Sequence, residues 1–98
     1  MRFVWDERKR QQTLKTRNIA FRSVVPLFTN HTRIVIPDNR RDYGEDRFHL
    51  YGLLDGNLFH VTFTVRDDAI RIISARRANK RERRSYEHRF RNQGYPYQ

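Results

Sequence analysis

The 98-residue chain has no cysteine, only four glycines and three prolines, and no long hydrophobic run. The lack of cysteine excludes disulfides, thiolate zinc sites and cysteine nucleophiles. No apolar stretch approaches the roughly 20 residues that a membrane-spanning helix needs. Acidic Asp6 comes too early for a secretion signal. We therefore expect one cytoplasmic domain that does not associate with a membrane.

Acidic residues are also scarce, because 21 Lys and Arg face only 11 Asp and Glu and give a net charge of +10. The excess is uneven along the chain. Residues 1–31 carry seven cations and two acids, residues 32–70 carry five and seven, and residues 71–98 carry nine and two. Self-repulsion of such a charge destabilises a compact monomer and suggests an anionic partner. The distribution predicts a basic rim around a nearly balanced central segment, and an acidic protein that neutralises the rim.

Apolar periodicity predicts an α+β fold in which two N-terminal helices and a C-terminal helix pack on a mostly antiparallel sheet of four to five strands. The helices are expected over residues 7–17, capped by Asp6, over 20–28, shortened or bent by Pro26, and over 80–91. Asn79 and Glu82 form a capping-box pattern before the last helix. Strands are expected over residues 3–5, 33–36, 47–54, 57–65 and 69–74. The domain would span residues 1–91, and residues 92–98 would form a tail.

Two predicted hairpins divide the sheet into an apolar face and a polar face. Asp55-Gly56 favours a two-residue turn that pairs Leu50 with Val61, and Asp67-Asp68 favours a weaker turn. Both registers place the side chains consistently. The apolar face carries Phe48, Leu50, Phe59, Val61, Phe63, Val65, Ile70 and Ile72. The polar face carries Arg47, His49, Tyr51, His60, Thr62, Thr64, Arg71 and Ile73.

The polar face holds the residue types that metal-free RNA cleavage requires. A base removes the 2′-hydroxyl proton, an acid protonates the leaving oxygen, and cations stabilise the transition state. Histidine suits proton transfer near neutral pH, and arginine binds phosphate. The predicted catalytic candidates are Arg47, Arg71, His49 and His60, with Glu45 beside the same face. An ordinary solvated or partner-covered sheet face explains the same pattern.

The segment from Arg71 to Arg91 carries a net charge of +7, which suits a nucleic-acid backbone or an acidic partner. The alternative interpretation of this segment is a solvated helix that binds no partner, in which Glu82 and Glu87 form local ion pairs. Arg77, Lys80 and Arg81 are the predicted RNA-binding residues here, and Arg17 is a fourth in the first helix. No histidines and carboxylates have metal-ligand spacing, so neither a metal nor a cofactor is expected.

The chain resembles the BrnT family, the ribonuclease toxins of type II BrnT–BrnA toxin–antitoxin modules. The resemblance extends over residues 3–88. The matching stretches are Phe3-x-Trp5-Asp6 with Lys9 and Arg10, Phe21 to Phe28, Glu45-x-Arg47-Phe48, the run Arg71-Ile72-Ile73-Ser74-Ala75-Arg76-Arg77-Ala78, and Glu82-Arg83 with Tyr86.

This resemblance implies a RelE-like fold and a toxin that cleaves RNA and inhibits translation. It places Arg47, Arg71, Ser74 and Arg76 on the functional surface, with Glu82 and Arg83 at the start of the last helix. It also implies a BrnA-type antitoxin with a ribbon-helix-helix domain, through which the complex binds operator DNA. Our first hypothesis is a metal-independent endoribonuclease that leaves 5′-hydroxyl and 2′,3′-cyclic phosphate ends, with Arg76 joining the catalytic candidates.

The chain departs from the family pattern in several places. Thr16-Arg17-Asn18 replaces the family's Lys-His-Gly, Pro26 replaces a helix former, and Asp67-Asp68 lacks the turn glycine. The two histidines of the polar face are not part of the family motif. These departures support a second hypothesis, a catalytically degenerate toxin that acts as an antitoxin-binding partner and co-repressor. A plain RNA-binding or DNA-binding module is the third.

Overall fold

A computed structural model describes residues 1–92 of the chain. Its elements in chain order are β1 (Arg2–Trp5), α1 (Glu7–Arg17), α2 (Phe21–Val24), a 3₁₀ helix (Val25–Thr29), β2 (Ile34–Pro37), β3 (Phe48–Leu54), β4 (Asn57–Arg66), β5 (Ala69–Arg77) and α3 (Lys80–Asn92). The predicted α+β class with three helices is confirmed, and the described sheet has five strands where four to five were predicted. No helix of the described part is long and apolar enough to cross a membrane. Of the predicted tail, Asn92 ends α3 and residues 93–98 lie outside the described residues.

The predicted capping residues of α1 and of the start of α3 are confirmed by their contacts. The Asp6 carboxylate accepts the N–H of Lys9 at 3.0 Å, and α1 ends at Asn18 in the left-handed conformation with φ 57°. At the start of α3, Asn79 and Glu82 each accept the other's backbone N–H, at 2.8 and 2.9 Å. Each capping contact satisfies a backbone donor that the helix cannot satisfy itself.

The second predicted helix is bent, as Pro26 requires. It consists of one α-helical turn, Phe21–Val24, that continues as a 3₁₀ helix with the proline in its first turn. Proline has no N–H to donate, and the first turn of a helix is where that donor is unneeded. The buried side chains of Phe21, Val24 and Leu27 pack these two short helices onto the apolar face.

The sheet has the strand order β1-β5-β4-β3-β2, with β1 parallel to β5 and the other neighbours antiparallel. The predicted hairpin pairs are confirmed, including Leu50 with Val61 and Phe63 with Ile72. The turn residues Asp55, Gly56, Asp67 and Asp68 all have positive φ, which matches the right-handed twist of a tight hairpin.

A β-bulge interrupts the pairing of β4 with β5. Thr62 lies opposite Ser74 and Phe63 lies opposite Ile72, so Ile73 is the extra residue. The predicted end of β5 at Ser74 is therefore wrong, because the bulge lets the strand continue to Arg77. The extra residue also changes which face each later side chain occupies. Ala75 becomes fully buried in the core, and Arg76 lies opposite His60 on the polar face.

The two faces are covered differently. The short helices after α1 cover the apolar face, where Val65 is the exception to the prediction because at the sheet's end it is 52% exposed. α3 covers one end of the polar face, where Tyr86 and Phe90 pack with Ile34 and Leu58. His60, Thr62 and Thr64 are also buried on this face, and Thr64, at its other end, donates to the carbonyl of Asp46. The polar face is thus not a fully solvated surface.

Candidate active site

The polar face carries three rows of side chains that run across β3, β4 and β5. The middle row joins His49, Thr62 and Ser74, which the register places opposite one another. Same-face neighbours along a strand are roughly 6.6 Å apart, so both outer rows lie within reach of a long side chain. One outer row consists of Tyr51, His60 and Arg76, and the other consists of Arg47, Thr64 and Arg71.

A hydrogen-bonded chain of three side chains connects the middle row to the loop after β2. Nε2 of His49 lies 3.1 Å from a carboxylate oxygen of Asp38, and its Nδ1 lies 2.7 Å from Nε2 of His60. A carboxylate can only accept, so His49 donates its Nε2–H to Asp38. A neutral His49 then accepts at Nδ1, and His60 donates from Nε2. Nδ1 of His60 keeps a lone pair and is buried without a hydrogen-bond partner among the described residues.

Asp38 is the functional candidate that sequence reasoning missed. Its side chain is 1% exposed and accepts two hydrogen bonds from the Arg40 guanidinium, both at 2.9 Å, and one from the Tyr43 hydroxyl at 3.2 Å. The hydrogen bonds from Arg40 hold the pKa of Asp38 well below its usual range. The pairing of β2 with β3 would have revealed it, because that register continues from Ile36 opposite His49 to Asp38.

A second polar cluster joins the outer row of Tyr51, His60 and Arg76 to α3. Arg76 donates to both carboxylate oxygens of Glu82 at 2.8 Å, and the Tyr51 hydroxyl donates to the same carboxylate at 3.2 Å. The hydrogen bonds from Arg76 lower the pKa of Glu82 to about 2. Glu82 therefore holds Arg76 in a fixed position at the edge of the middle row, and it also caps α3.

His60 lies below the surface, with 6% of its area exposed. Burial, followed by the nearby charge of Arg76, lowers the pKa of His60 to about 4. The ring is therefore neutral near pH 7. His49 keeps 17% of its side chain exposed, so it is the histidine of this pair that lies nearer to solvent.

The predicted site residues Glu45 and Arg47 pair with each other at the far end of the polar face. Their closest atoms, Oε2 and Nε, are 3.3 Å apart, and Glu45 also binds Arg66 at 2.7 Å. The Arg47 guanidinium lies 4.2 Å from the centre of the Tyr43 ring. Among the described residues neither member of this pair bonds to the histidines, and Arg47 remains in the row of Thr64 and Arg71.

The Arg71 side chain is half-buried in the row of Arg47 and Thr64 and has no hydrogen bond or ion pair among the described residues. Beside it, a groove of about 240 Å³ separates α1 from the bulge of β5. Lys9, Arg17 and Ser74 line this groove, and Arg17 also donates to the carbonyl of Ala75 at 2.9 Å. The predicted RNA-binding residue Arg17 therefore lies next to one end of the middle row.

The other predicted RNA-binding residues lie away from the three rows. Arg77 donates to the Asn57 amide oxygen at 2.9 Å and lies 5.8 Å from the Phe59 ring. Lys80 and Arg81 are exposed in the first turn of α3. Among residues 1–92, no cluster of three or more histidine, aspartate or glutamate side chains could hold a metal ion.

The sequence of the chain matches the model of a known protein family. No curated protein matches the chain. The family model described as "Ribonuclease toxin, BrnT, of type II toxin-antitoxin system" matches residues 5–82. This region contains all three rows of the polar face together with Asp38 and Glu82. Because the match covers most of the chain, the protein belongs to the BrnT family of ribonuclease toxins from type II toxin–antitoxin systems.

Proposed function

We propose that the chain cleaves RNA without a metal ion at the middle row of the polar face. The observation that carries this proposal is the middle row itself. It aligns a histidine and two hydroxyl side chains, with Arg71 on one side and Arg76 on the other. In a ribonuclease toxin family, this combination matches the chemistry of RNA cleavage.

The arginines would bind the scissile phosphate. A phosphate above Thr62 and Ser74 lies within reach of Arg71, which is unpaired among the described residues, and of Arg76, which Glu82 positions. Arg47 approaches from the opposite strand. Arginine is suited to this role because its planar guanidinium donates two parallel hydrogen bonds to phosphate oxygens.

His49 would transfer the proton of the 2′-hydroxyl, and Asp38 would orient it. With its Nε2–H donated to Asp38, His49 presents the Nδ1 lone pair toward Thr62, whose hydroxyl oxygen lies 3.4 Å away. The 2′-hydroxyl would replace His60 as the donor to Nδ1. The 2′-oxygen attacks phosphorus, the bond to the 5′-oxygen breaks, and that oxygen takes up a proton from solvent while His49 returns its own proton to solvent. Glu45 and His60 are the other proton-transfer candidates. The products are a 2′,3′-cyclic phosphate and a 5′-hydroxyl.

The biological setting follows from the family. Membership in a type II toxin family implies an antitoxin partner. In our proposal this partner is a BrnA-type protein with a ribbon-helix-helix domain, and the complex binds operator DNA through it. The free toxin would act in the cytoplasm by cutting RNA and reducing translation.

The direct test incubates purified chain with RNA in the presence of a chelator. We expect cleavage whose products carry 5′-hydroxyl and cyclic phosphate ends. Arg71→Ala should reduce the rate strongly, whereas Arg84→Ala, which removes an exposed cation of α3 outside the three rows, should leave it nearly unchanged. Intact RNA, or cleavage only after addition of a metal ion, would contradict the proposal.

A specific observation supports a second candidate, the degenerate toxin. Each predicted proton-transfer group is already engaged, His49 and His60 with each other and Glu45 with two arginines. A chain with these contacts locked would bind its antitoxin without cutting RNA. Growth arrest on expression without antitoxin, relieved by Arg71→Ala, would exclude this candidate. RNA binding that weakens steeply with salt, without cleavage or an antitoxin, would instead support the plain binding module.

A further inference from the structure

A groove of about 360 Å³ lies between α3 and the edge strand β2. In the strand order, β2 is at the opposite edge of the sheet from β1 and β5, where the groove beside α1 lies. Ile34, Ile36 and Tyr86 form its apolar lining. Ile36 is 42% exposed, a large fraction for an isoleucine beside an otherwise buried cluster. The groove therefore offers an apolar surface that the described residues leave open to solvent.

The rim of this groove is cationic. Arg81 and Arg89 both line it, and neither pairs with a carboxylate within residues 1–90. They are eight residues apart on α3, which corresponds to about 12 Å along the helix axis. An extended chain covers a similar distance in about four residues. Two acidic side chains four residues apart on an extended segment would match both arginines.

The main chain of β2 offers a further contact. The N–H of Asp38 donates to the carbonyl of Arg47, which makes that pair a hydrogen-bonded one. Hydrogen-bonded pairs alternate in an antiparallel ladder, so Ile36–His49 is also bonded and the N–H and C=O of Val35 point outward. Among the described strands only β3 pairs with β2. An extended partner segment can therefore pair with Val35 while its side chains enter the groove.

From these contacts we infer that the groove binds an extended acidic segment of the antitoxin, with an aliphatic side chain inserted between Ile36 and Tyr86. The inference rests on the antitoxin partnership that the family implies and not on RNA cleavage. Tyr51 and Glu82 form the inner end of the groove, and Glu82 holds Arg76. A bound segment would therefore lie directly against Glu82, which positions Arg76. Antitoxin binding would in this way affect the position of Arg76 beside the middle row.

The test measures complex formation between the full chain and its co-expressed cognate antitoxin, followed by titration with overlapping synthetic peptides that tile the antitoxin. Ile36→Glu should weaken binding by roughly tenfold or more, because it places a charge in the apolar pocket and opposes acidic side chains. Val65→Glu is the matched control, because Val65 is likewise an exposed aliphatic residue of a strand but lies outside the groove. The tightest peptide should be acidic.

A second pair of variants keeps the test independent of folding effects at the strand. The double variant Arg81→Glu with Arg89→Glu should lose binding, whereas Arg84→Glu, exposed on α3 but outside the groove, should retain it. Equal losses in a variant and its control, or no loss in either, would overturn the inference. So would self-association of the chain that Ile36→Glu abolishes, since a second copy would then be the occupant. If the chain binds antitoxin through the groove but never cuts RNA, only the cleavage proposal fails.

Discussion

Two buried ionisable residues, Asp38 and His60, lie at opposite ends of one hydrogen-bonded chain. Asp38 is charged near neutral pH, and His60 is neutral. Asp38 remains charged because Arg40, Tyr43 and His49 surround its carboxylate with donors. His60 remains neutral because its ring is buried beside the positive charge of Arg76. In addition, no carboxylate of the described residues accepts a hydrogen bond from its Nδ1, so nothing there would stabilise the protonated ring. Two hydrogen bonds through His49 therefore connect a carboxylate that stays charged, Asp38, with a histidine that stays neutral, His60.

Acidification should destabilise the protein through His60. Its pKa is about 4 in the folded chain and 6.5 in the unfolded one, so below pH 6.5 the unfolded state takes up the proton first. The free energy of unfolding should therefore fall from about pH 6.5 to pH 4, and Glu82, whose pKa is lowered from 4.5 to about 2, adds to this fall below about pH 4.5. Urea unfolding at a series of pH values measures this. In His60→Leu the slope over that window should largely disappear, and in the exposed His31→Ala it should persist.

The ring tautomers can be observed without any activity. Long-range nitrogen–proton spectra near neutral pH should show both His49 and His60 protonated at Nε2. Asp38→Asn should disturb the His49 pattern and lower the melting temperature, because the amide offers one oxygen where three side chains donate. Asp42→Asn, in the same loop, retains the acceptor for the Gly44 N–H and should change neither. A His49 ring protonated at Nδ1 in the unmodified chain would refute the assignment.

At the scale of elements, the bulge in β5 decides the chemistry of the polar face. One inserted residue, Ile73, moves Ala75 into the core and brings Arg76 opposite His60. Without it the strict alternation of the hairpin would bury Arg76 and expose Ala75. A position on the polar face can therefore depend on a single backbone irregularity several residues away.

The capping box of α3 gives a local prediction. Asn79→Ala removes the side-chain acceptor of the Glu82 N–H and should lower the free energy of unfolding by about 1 kcal/mol. Asn79→Asp should retain most of the stability, because aspartate caps equally well. Urea denaturation measures both variants. A loss no larger than that of Asn39→Ala, an exposed loop asparagine, would show that the cap adds nothing to α3.

The sequence predicted those features that arise from local patterns. The Asp55-Gly56 hairpin and its register followed from alternation and turn chemistry, and the helix caps followed from short spacings. The bulge at Ile73 was not predictable from these patterns, because an extra residue breaks the period on which the register depends. The packing of α3 was also hidden, since the spacing of Tyr86 and Phe90 shows that an apolar side exists but not which surface it meets. Asp38 was missed because its contact with His49 crosses between strands.

At the scale of the whole molecule, the net charge of +10 opposes compaction. Raising sodium chloride from roughly 0.01 M to 0.15 M shortens the screening length from about 30 Å to about 8 Å. The melting temperature should therefore rise over this range, as calorimetry can measure. A variant with glutamine at the exposed positions Arg8, Lys15 and Arg84 should show a smaller rise. A melting temperature that falls with salt would mean that the ion pairs of Glu45 and Glu82 outweigh the repulsion.

The parallel pairing of β1 with β5 has a consequence for the order in which the molecule is made. β1 is synthesised well before its partner positions, which begin only at Ala69. β1 therefore stays unpaired until the intervening elements and β5 have been synthesised. The candidate site waits still longer, because it needs Ser74 and Arg76 from β5 and Glu82 from the helix that follows. A nascent chain therefore carries no assembled site until β5 and the start of α3 have been synthesised.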